Sequence, residues 1–458
     1  MKKRIVTLII FTLLFITTMN IPTFAFEPEV DFLNVKIGSS MDLNKEYTLT
    51  SDSGFNLYDV DNKQWPLNYI EDLVIKVRLN FAGEIEIFNV SDEYLYTMPS
   101  DGSVIIGPGT MFQTTLNVDK NNYRDYITFI SKDYKISLIN HINIENYLYG
   151  VVPKEMPAGW PMEALKAQAI VARSFALANM NKHKQEGFNL CDSTCCQVYR
   201  AYDNENPNTN QAVNETNGIY VYYNGKVAST PYHSTSGGYT EDSAIAWGGS
   251  VPYLVPVHDV YSEGQSANNW SLKVSPLEIG SKLLLKGINI GQVQDVQILK
   301  TSSANRVLEL KLVGSLGEEI ISGNNLRTIM GSTIMKSTWF NIDKVGQGLE
   351  KKIYVIDGSS SYPVEIKVNS AYILDGKGYS TPNRTVVSRA VCKDRTASIT
   401  ESMSITPTTF VFNGKGYGHG VGMSQYGAME MAKLGFNYED IIHHYYNGVD
   451  IINLNGDN

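Results

Sequence analysis

A single acid, Glu155, stands in "VVPKEMPAGW" among valine, methionine and tryptophan, with Pro153 and Pro157 on either side. A carboxylate in apolar company suits proton transfer to a leaving oxygen, because desolvation by Met156, Pro157 and Trp160 would raise its pKa. Lys154, Lys166 and Arg173, if close, would act the other way. The prolines predict a stiff, irregular loop here rather than a helix, well suited to holding one side chain in place. A plainer role is open to the same residue: pairing with Arg173, or capping the helix that follows.

Three further groups have chemistry in their residue types. In "HKQEGFNLCDSTCC", His183, Cys191, Cys195 and Cys196 offer imidazole and sulfur donors that suit zinc in a closed structural site. The spacing is not that of a standard finger. The same thiols could form one disulfide with a cysteine left over, or pair with Cys392. "YHSTSGGYTE" carries His233, Ser234 and Ser236. Adjacent strand residues point to opposite faces, and no Gly-x-Ser-x-Gly elbow is present, so this segment reads as the wall of a site and not as a serine-hydrolase centre. "GKGYGHGVGMSQYGA" has glycine at alternate positions without a Gly-x-Gly-x-x-Gly run, which argues against a dinucleotide. His419, Ser424, Gln425 and Tyr426 supply hydrogen-bonding groups of the kind that sugars need. His443 and His444, in an aromatic helix, read as packing residues.

These groups require particular elements. Residues 27–138 alternate apolar and polar positions in short runs rich in valine, isoleucine and tyrosine, which predicts strands. From Pro161 to about Lys184 the period becomes helical, with Pro161 suited to the first position, Glu163 to the first turn and Gly187 to the end. Leu165, Ala169, Ala172 and Ala176 form its apolar stripe. Lys166 and Arg173 lie seven apart on nearly one line, so they either face a sugar's oxygens or a carboxylate, or form a solvated edge. "YNGK" predicts a hairpin, and the stretch around 271–409 is again strand-like. The glycine run leads into a helix stopped by Gly435, and Asn437 caps a last helix. Strands in runs with a few helices predict an α+β fold, the helices packed on mixed or antiparallel sheets.

The chain has 458 residues, 43% hydrophobic and 19% charged, which suits two or three globular domains. Residues 1–25 read as a signal peptide ending near Ala25, or as an uncleaved membrane anchor, and Thr17, Thr18, Asn20 and Pro22 favour cleavage. Either way the bulk of the protein is expected outside the cytoplasm. Cleavage would remove Lys2, Lys3 and Arg4, taking the net charge from -9 to about -12. Such a chain does not suit nucleic acid, and its charge gives no hold on an anionic membrane. Four cysteines are too few for a disulfide scaffold of this length.

Four segments, in order, resemble the stage II sporulation protein D/amidase-enhancer (SpoIID/LytB) family: "VVPKEMPAGWPMEALKAQAIVARSFAL", "CQVYRAYD", "YHSTSGGYTE" and "GKGYGHGVGMSQYGAMEMA". The resemblance runs from about Ile136 to Val449 and implies a catalytic region at 139–450, with the strand-rich insertion inside it. It implies a peptidoglycan lytic transglycosylase acting on peptide-stripped glycan strands, with Glu155 as the acid/base and no catalytic cofactor. It also implies Lys166, Gln168 and Arg173 near the substrate. Some sporulation members bind a zinc through a histidine and cysteine cluster after this helix; where they often have histidine before the second cysteine of the pair, Cys195 stands here. The metal would be structural. The family equally includes non-enzymatic enhancers that bind peptidoglycan and stimulate an N-acetylmuramoyl-L-alanine amidase.

Overall fold

The computed structural model describes residues 31–455, apart from 44, 111 and 266–267, and between 348 and 406 it describes only the backbone of short strands. The expected leader at 1–25 and the side chain of Cys392 lie outside the described residues. The chain divides into two compact units, one of residues up to Pro231 together with those from Met431, the other Tyr232–Glu430. Both mix strands and helices, so the fold is α+β as expected.

The first unit opens on two antiparallel layers. A seven-stranded sheet runs in the order Leu190–Cys191, Phe32–Asp42, Lys135–Asn143, Tyr126–Lys132, Val104–Pro108, Phe55–Asp59, Asn68–Ile70, its first pair alone being parallel. Six further strands, centred on Glu46–Thr50 and Val74–Leu79, make the other layer. Alternation buries one side of each: Leu33, Val35, Leu49, Ile75, Val77 and Phe129 have no exposed surface. The domain boundary expected at 138/139 falls inside Lys135–Asn143, whose last residue already caps the next helix. Strand-rich lead-in and helical region therefore share one unit.

Three helices follow: α1 (Ile144–Glu155), α2 (Met162–Ala178) and α3 (Pro207–Glu215). Here the loop expected around Glu155 is corrected. Pro153 lies inside α1, and Glu155 is its last residue. Ile144, Tyr147, Leu148, Val151 and Val152 recur at helical spacing and are buried, and that packing outweighs the bond lost at Pro153. Pro157 does stop the helix, since it forces Met156 into extended backbone (φ -125°). Pro161 caps α2 from outside, one position before the place expected. The helix also ends at Ala178 instead of near Lys184, where the Asn179 side chain donates to the Phe175 carbonyl at 2.8 Å beside the backbone bond from its own N–H. Gly187 (φ 93°) closes only a short 3-10 turn, Lys184–Glu186.

The strand Ile219–Tyr223 lies between Lys226–Val227 and Asp450–Asn453, turning at Asn224 and Gly225 with positive φ as the hairpin signal requires. Tyr438–Tyr445 begins in a capping box of Asn437 and Asp440.

In the second unit, Asn269–Val274, Pro407–Lys415 and Phe340–Gln347 form an antiparallel sheet, and Val293–Thr301, Val307–Gly314 and Gly317–Ser322 form another. Trp270, Ile279, Leu283, Leu310, Phe340, Phe410 and Phe412 share one core. Tyr232–His233 pairs in parallel with Met423–Ser424, bringing the two glycine-containing motifs side by side. Among the described residues no helix is long and apolar enough to cross a membrane.

Candidate active site and metal-ligand cluster

Glu155 is half-buried at the C-terminal end of α1, and Met156 beside it is wholly buried. Its Oε1 accepts the Val198 amide at 3.1 Å. That amide belongs to "CQVYRAYD", which runs along α1 through a series of contacts. The Tyr147 hydroxyl donates to Gln197 Oε1 at 3.2 Å, Gln197 Nε2 donates to the Ala172 carbonyl at 3.2 Å, and the Arg200 amide donates to the Gly150 carbonyl at 3.2 Å. Gly150 is needed there, because a Cβ would sit 2.5 Å from the Tyr199 ring. Gln197 and Val198 thus join the site without any signal of residue type. Val198 acts through its backbone, which sequence pattern does not show.

The pairing of Glu155 with Arg173 does not occur. Arg173 has no exposed surface and grips Glu145, Nε at 2.7 Å and Nη2 at 2.6 Å, while Nη1 and Nη2 reach the carbonyls of Ile219 and Val213. The expectation that it faces substrate is corrected with it: both edges of the guanidinium are committed inside the unit, clasping the start of α1 to α2. Gln168 is also fully buried, which removes it from a substrate-facing surface. Lys166 sits between Glu163 (3.1 Å) and Glu215 (2.8 Å), and hydrogen bonding to Glu215 holds its ammonium above the ordinary lysine range despite partial burial.

His183, Cys191, Cys195 and Cys196 converge, their donor atoms all within 4.8 Å of one another. His183 Nε2 lies 3.8 Å from Cys195 Sγ and 3.4 Å from Cys196 Sγ. Donors on one tetrahedral zinc would sit about 3.8 Å apart, so the set would need to close by no more than about 1 Å to hold one. The other ring nitrogen of His183 meets Glu186 at 2.6 Å, the arrangement that aims a metal-binding histidine. Cys191 is placed by its strand against Phe32–Asp42, and all three thiols are free. Burial raises the Cys191 thiol, but hydrogen bonds from Ser193 and the neighbouring cysteines outweigh it and bring it to about 7. Burial, with the adjoining Cys191, pushes Cys196 up to about 12. This is a group able to hold a metal ion.

The second unit holds the remaining nominated residues, mostly inward. Ser236 is buried, its hydroxyl donating to Asp259 at 2.6 Å and lying 2.9 Å from Ser262. Ser424 is buried and caps the helix Gln425–Lys433 by accepting the Gly427 amide at 3.2 Å. Gln425 is buried, and Ser234 is half-buried, its carbonyl accepting the Tyr426 amide. His233 is buried with Nδ1 on the Val421 carbonyl at 3.2 Å, and burial holds its pKa well below the usual value. His419 accepts the Val421 amide on Nδ1 at 3.0 Å; burial first, then the Arg306 charge, bring it down to about 4. His233, Ser236, Ser424 and Gln425, expected in a sugar-facing row, are instead buried, and the hydroxyls of Ser236 and Ser424 bond within the fold, while His233 Nε2 meets no protein partner among the described residues. Arg306, which no motif marked, is buried against Gly420, and its Nε and Nη1 meet no protein acceptor among the described residues.

A family model described as SpoIID, stage II sporulation protein, matches residues 132–223, spanning α1, α2, the cysteine cluster and "CQVYRAYD". An amidase enhancer of Bacillus subtilis (strain 168) is 32% identical over 66% of this chain, which spans 40% of that protein's length. Stage II sporulation protein D of Bacillus amyloliquefaciens is 29% identical over 68% of this chain and 75% of its own. An uncharacterized protein of Brachyspira hyodysenteriae is 28% identical over 76% of this chain and 77% of its own. The matched model lies over the helices that carry Glu155, and relatives named for sporulation and amidase enhancement align with about two thirds of the chain, so the chain is similar to the SpoIID/LytB family and matches its model at 132–223.

Proposed function

We propose that the chain is a lytic transglycosylase of peptidoglycan, cutting peptide-stripped glycan between N-acetylmuramic acid and N-acetylglucosamine, with Glu155 as its acid/base. One observation carries the reading: Glu155 ends a proline-stopped helix with Oε1 held by the Val198 amide, while Arg173 is committed to Glu145. An ordinary glycosidase needs two carboxylates. A lytic transglycosylase works with one, because the sugar supplies its own nucleophile. Glu155 gives its proton to the glycosidic oxygen as that bond breaks, then takes the proton of the muramic C6 hydroxyl as its oxygen bonds to C1. The product carries a 1,6-anhydro ring, and the acid is restored. The setting would be extracytoplasmic, at the cell wall, in spore engulfment or wall remodelling.

The Cys191, Cys195, Cys196 and His183 donors would hold zinc. With four protein ligands and no open position, the ion would support the fold around "CQVYRAYD" and take no part in bond cleavage.

Mass spectrometry of products from denuded peptidoglycan tests the main reading. The wild-type chain should release anhydro-disaccharides, and Glu155→Gln should lower that release by at least about a hundredfold with unfolding temperature unchanged. Equal turnover in the variant overturns it. The amidase-enhancer relative favours a second reading, a peptidoglycan-binding activator of a partner hydrolase. That reading predicts no anhydro product from either protein and a faster amidase in the presence of both.

A further inference from the structure

The second unit has an open groove of 540 Å³, which takes in only Gly414 and Lys415 of the nominated motifs. It lies on the sheet of Asn269–Val274, Pro407–Lys415 and Phe340–Gln347. Cross-strand register sets its lining: Asn269 faces Lys415, and Ser271, Asn413 and Asn341 share one rung, all five exposed. Trp339, half-buried, completes the wall. The indole is seated by Gly237, whose φ is 90° and whose Cβ would lie 2.8 Å from the ring; a side chain there would displace it. Lys415 holds its ammonium over the indole, 5.5 Å from the centroid.

The lining has unspent hydrogen-bonding capacity. Ser271 donates to Asn413 at 2.8 Å and Asn413 to Asp343 at 2.7 Å, so that amide is occupied. Among the described residues, the side chains of Asn269 and Asn341 have no partner, and Lys415 has no carboxylate partner. A cation lacking a counter-charge, in a chain of net charge -9, is the feature that most narrows the ligand. Free carboxamides match an acetamido group, which presents one donor and one acceptor in the same spacing. The volume falls in the ordinary range for small-ligand sites, about 300–1,000 Å³.

We infer that this groove is a saccharide-binding site for an N-acetylated amino sugar bearing a carboxylate, Asn269 and Asn341 taking the acetamido group and Lys415 the acid. The inference rests on the glycan reading above, and gives the second unit its own hold on the strand. A carboxylate of this kind is free on muramic acid only when no peptide is attached to it.

The test uses the full chain with Glu155→Gln, which binds without turnover, titrated by calorimetry. The probes are the peptide-free disaccharide of N-acetylglucosamine and N-acetylmuramic acid, the neutral N-acetylglucosamine dimer, and the free stem peptide. Asn341→Ala should weaken both sugars about tenfold, and Lys415→Met should weaken the acidic disaccharide alone by a similar factor. Both side chains are exposed, and protection from hydrogen exchange along Phe340–Gln347 on adding the acidic disaccharide gives a readout without any variant. Sugar affinities untouched by both substitutions, absent protection, or binding of the peptide alone would each overturn the site. Loss of anhydro product with the groove effects intact would instead sink only the proposed reaction.

Discussion

The two units keep their buried polar groups in opposite ways. In the first, charge meets charge: Arg173 with Glu145 at 2.6 Å, Arg124 with Glu205 at 2.5 Å, Lys166 between two acids. In the second, the buried groups at the junction of the glycine motifs are neutral imidazoles and hydroxyls together with the Arg306 cation, which donates to the Ser236 carbonyl at 2.8 Å, and glycines bring backbone against them. The difference follows from what each must hold. A clasp of paired ions fixes the two helices around one carboxylate, leaving Glu155 outside the pairing with Arg173. Close backbone approach builds a densely packed support, in which the buried Arg306 bonds a backbone carbonyl and makes no salt bridge among the described residues.

The largest effect expected from that contrast is at Arg173. Arg173→Met removes a fully buried charge and strands Glu145, a change that typically costs about 3–5 kcal/mol. Hydrogen exchange read by segment should show lost protection in α1 and α2 while the strands of Tyr232–Glu430 keep theirs. Equal loss in both units would break the contrast, because the clasp would then be supporting the whole chain.

The reciprocal change in the second unit adds one methyl group. Gly420 has φ 84°, and a Cβ there would lie 2.3 Å from the Arg306 guanidinium. Gly420→Ala combines backbone strain with displacement of a buried cation, about 2–3 kcal/mol. The loss should localise to Tyr232–Glu430 in the same experiment. A neutral outcome would mean that the guanidinium has room to withdraw, and that close approach is not what holds this region.

The same contrast decides how much of the molecule could be read in advance. Glu155 stood out because its neighbours are apolar, and that property is local. The cysteine cluster was legible for the same reason, its donors lying within one short segment. The helical state of Pro153 was not, because it depends on burial of Ile144, Leu148 and Val151 in a helix packed on α2 and α3, which overrides a local rule. Nor was the partner of Arg173, twenty-eight positions away in Glu145. His233, Ser236 and Ser424 looked like sugar contacts because their types suit sugars. The same types suit buried carbonyls and helix ends, and only the register of Tyr232–His233 on Met423–Ser424 turns them inward.

Acid should separate the units by the smallest margin. His419 and His233 pack with ring centroids 5.4 Å apart, faced by Arg306, Trp247 and the Val421 backbone. Burial is the chief cause that takes His419 from 6.5 to about 4 and His233 well below its usual value. Both are neutral when folded, so their contribution is fully present above pH 6.5. As pH falls from 6.5 toward 4 the unfolded chain takes up protons that the folded one refuses, and stability drops. Between pH 7 and 5 the loss should be about 4 kcal/mol in the second unit, about 2 kcal/mol for each ring. The first unit has a counterpart in His141, brought to about 4 by burial, but that is a single ring, and its loss should be smaller. Segment-resolved exchange at the two pH values, corrected for intrinsic rates, measures the difference. If protection falls equally in α1, α2 and the strands of the second unit, then the imidazole pair is not the support that the contrast assigns to it.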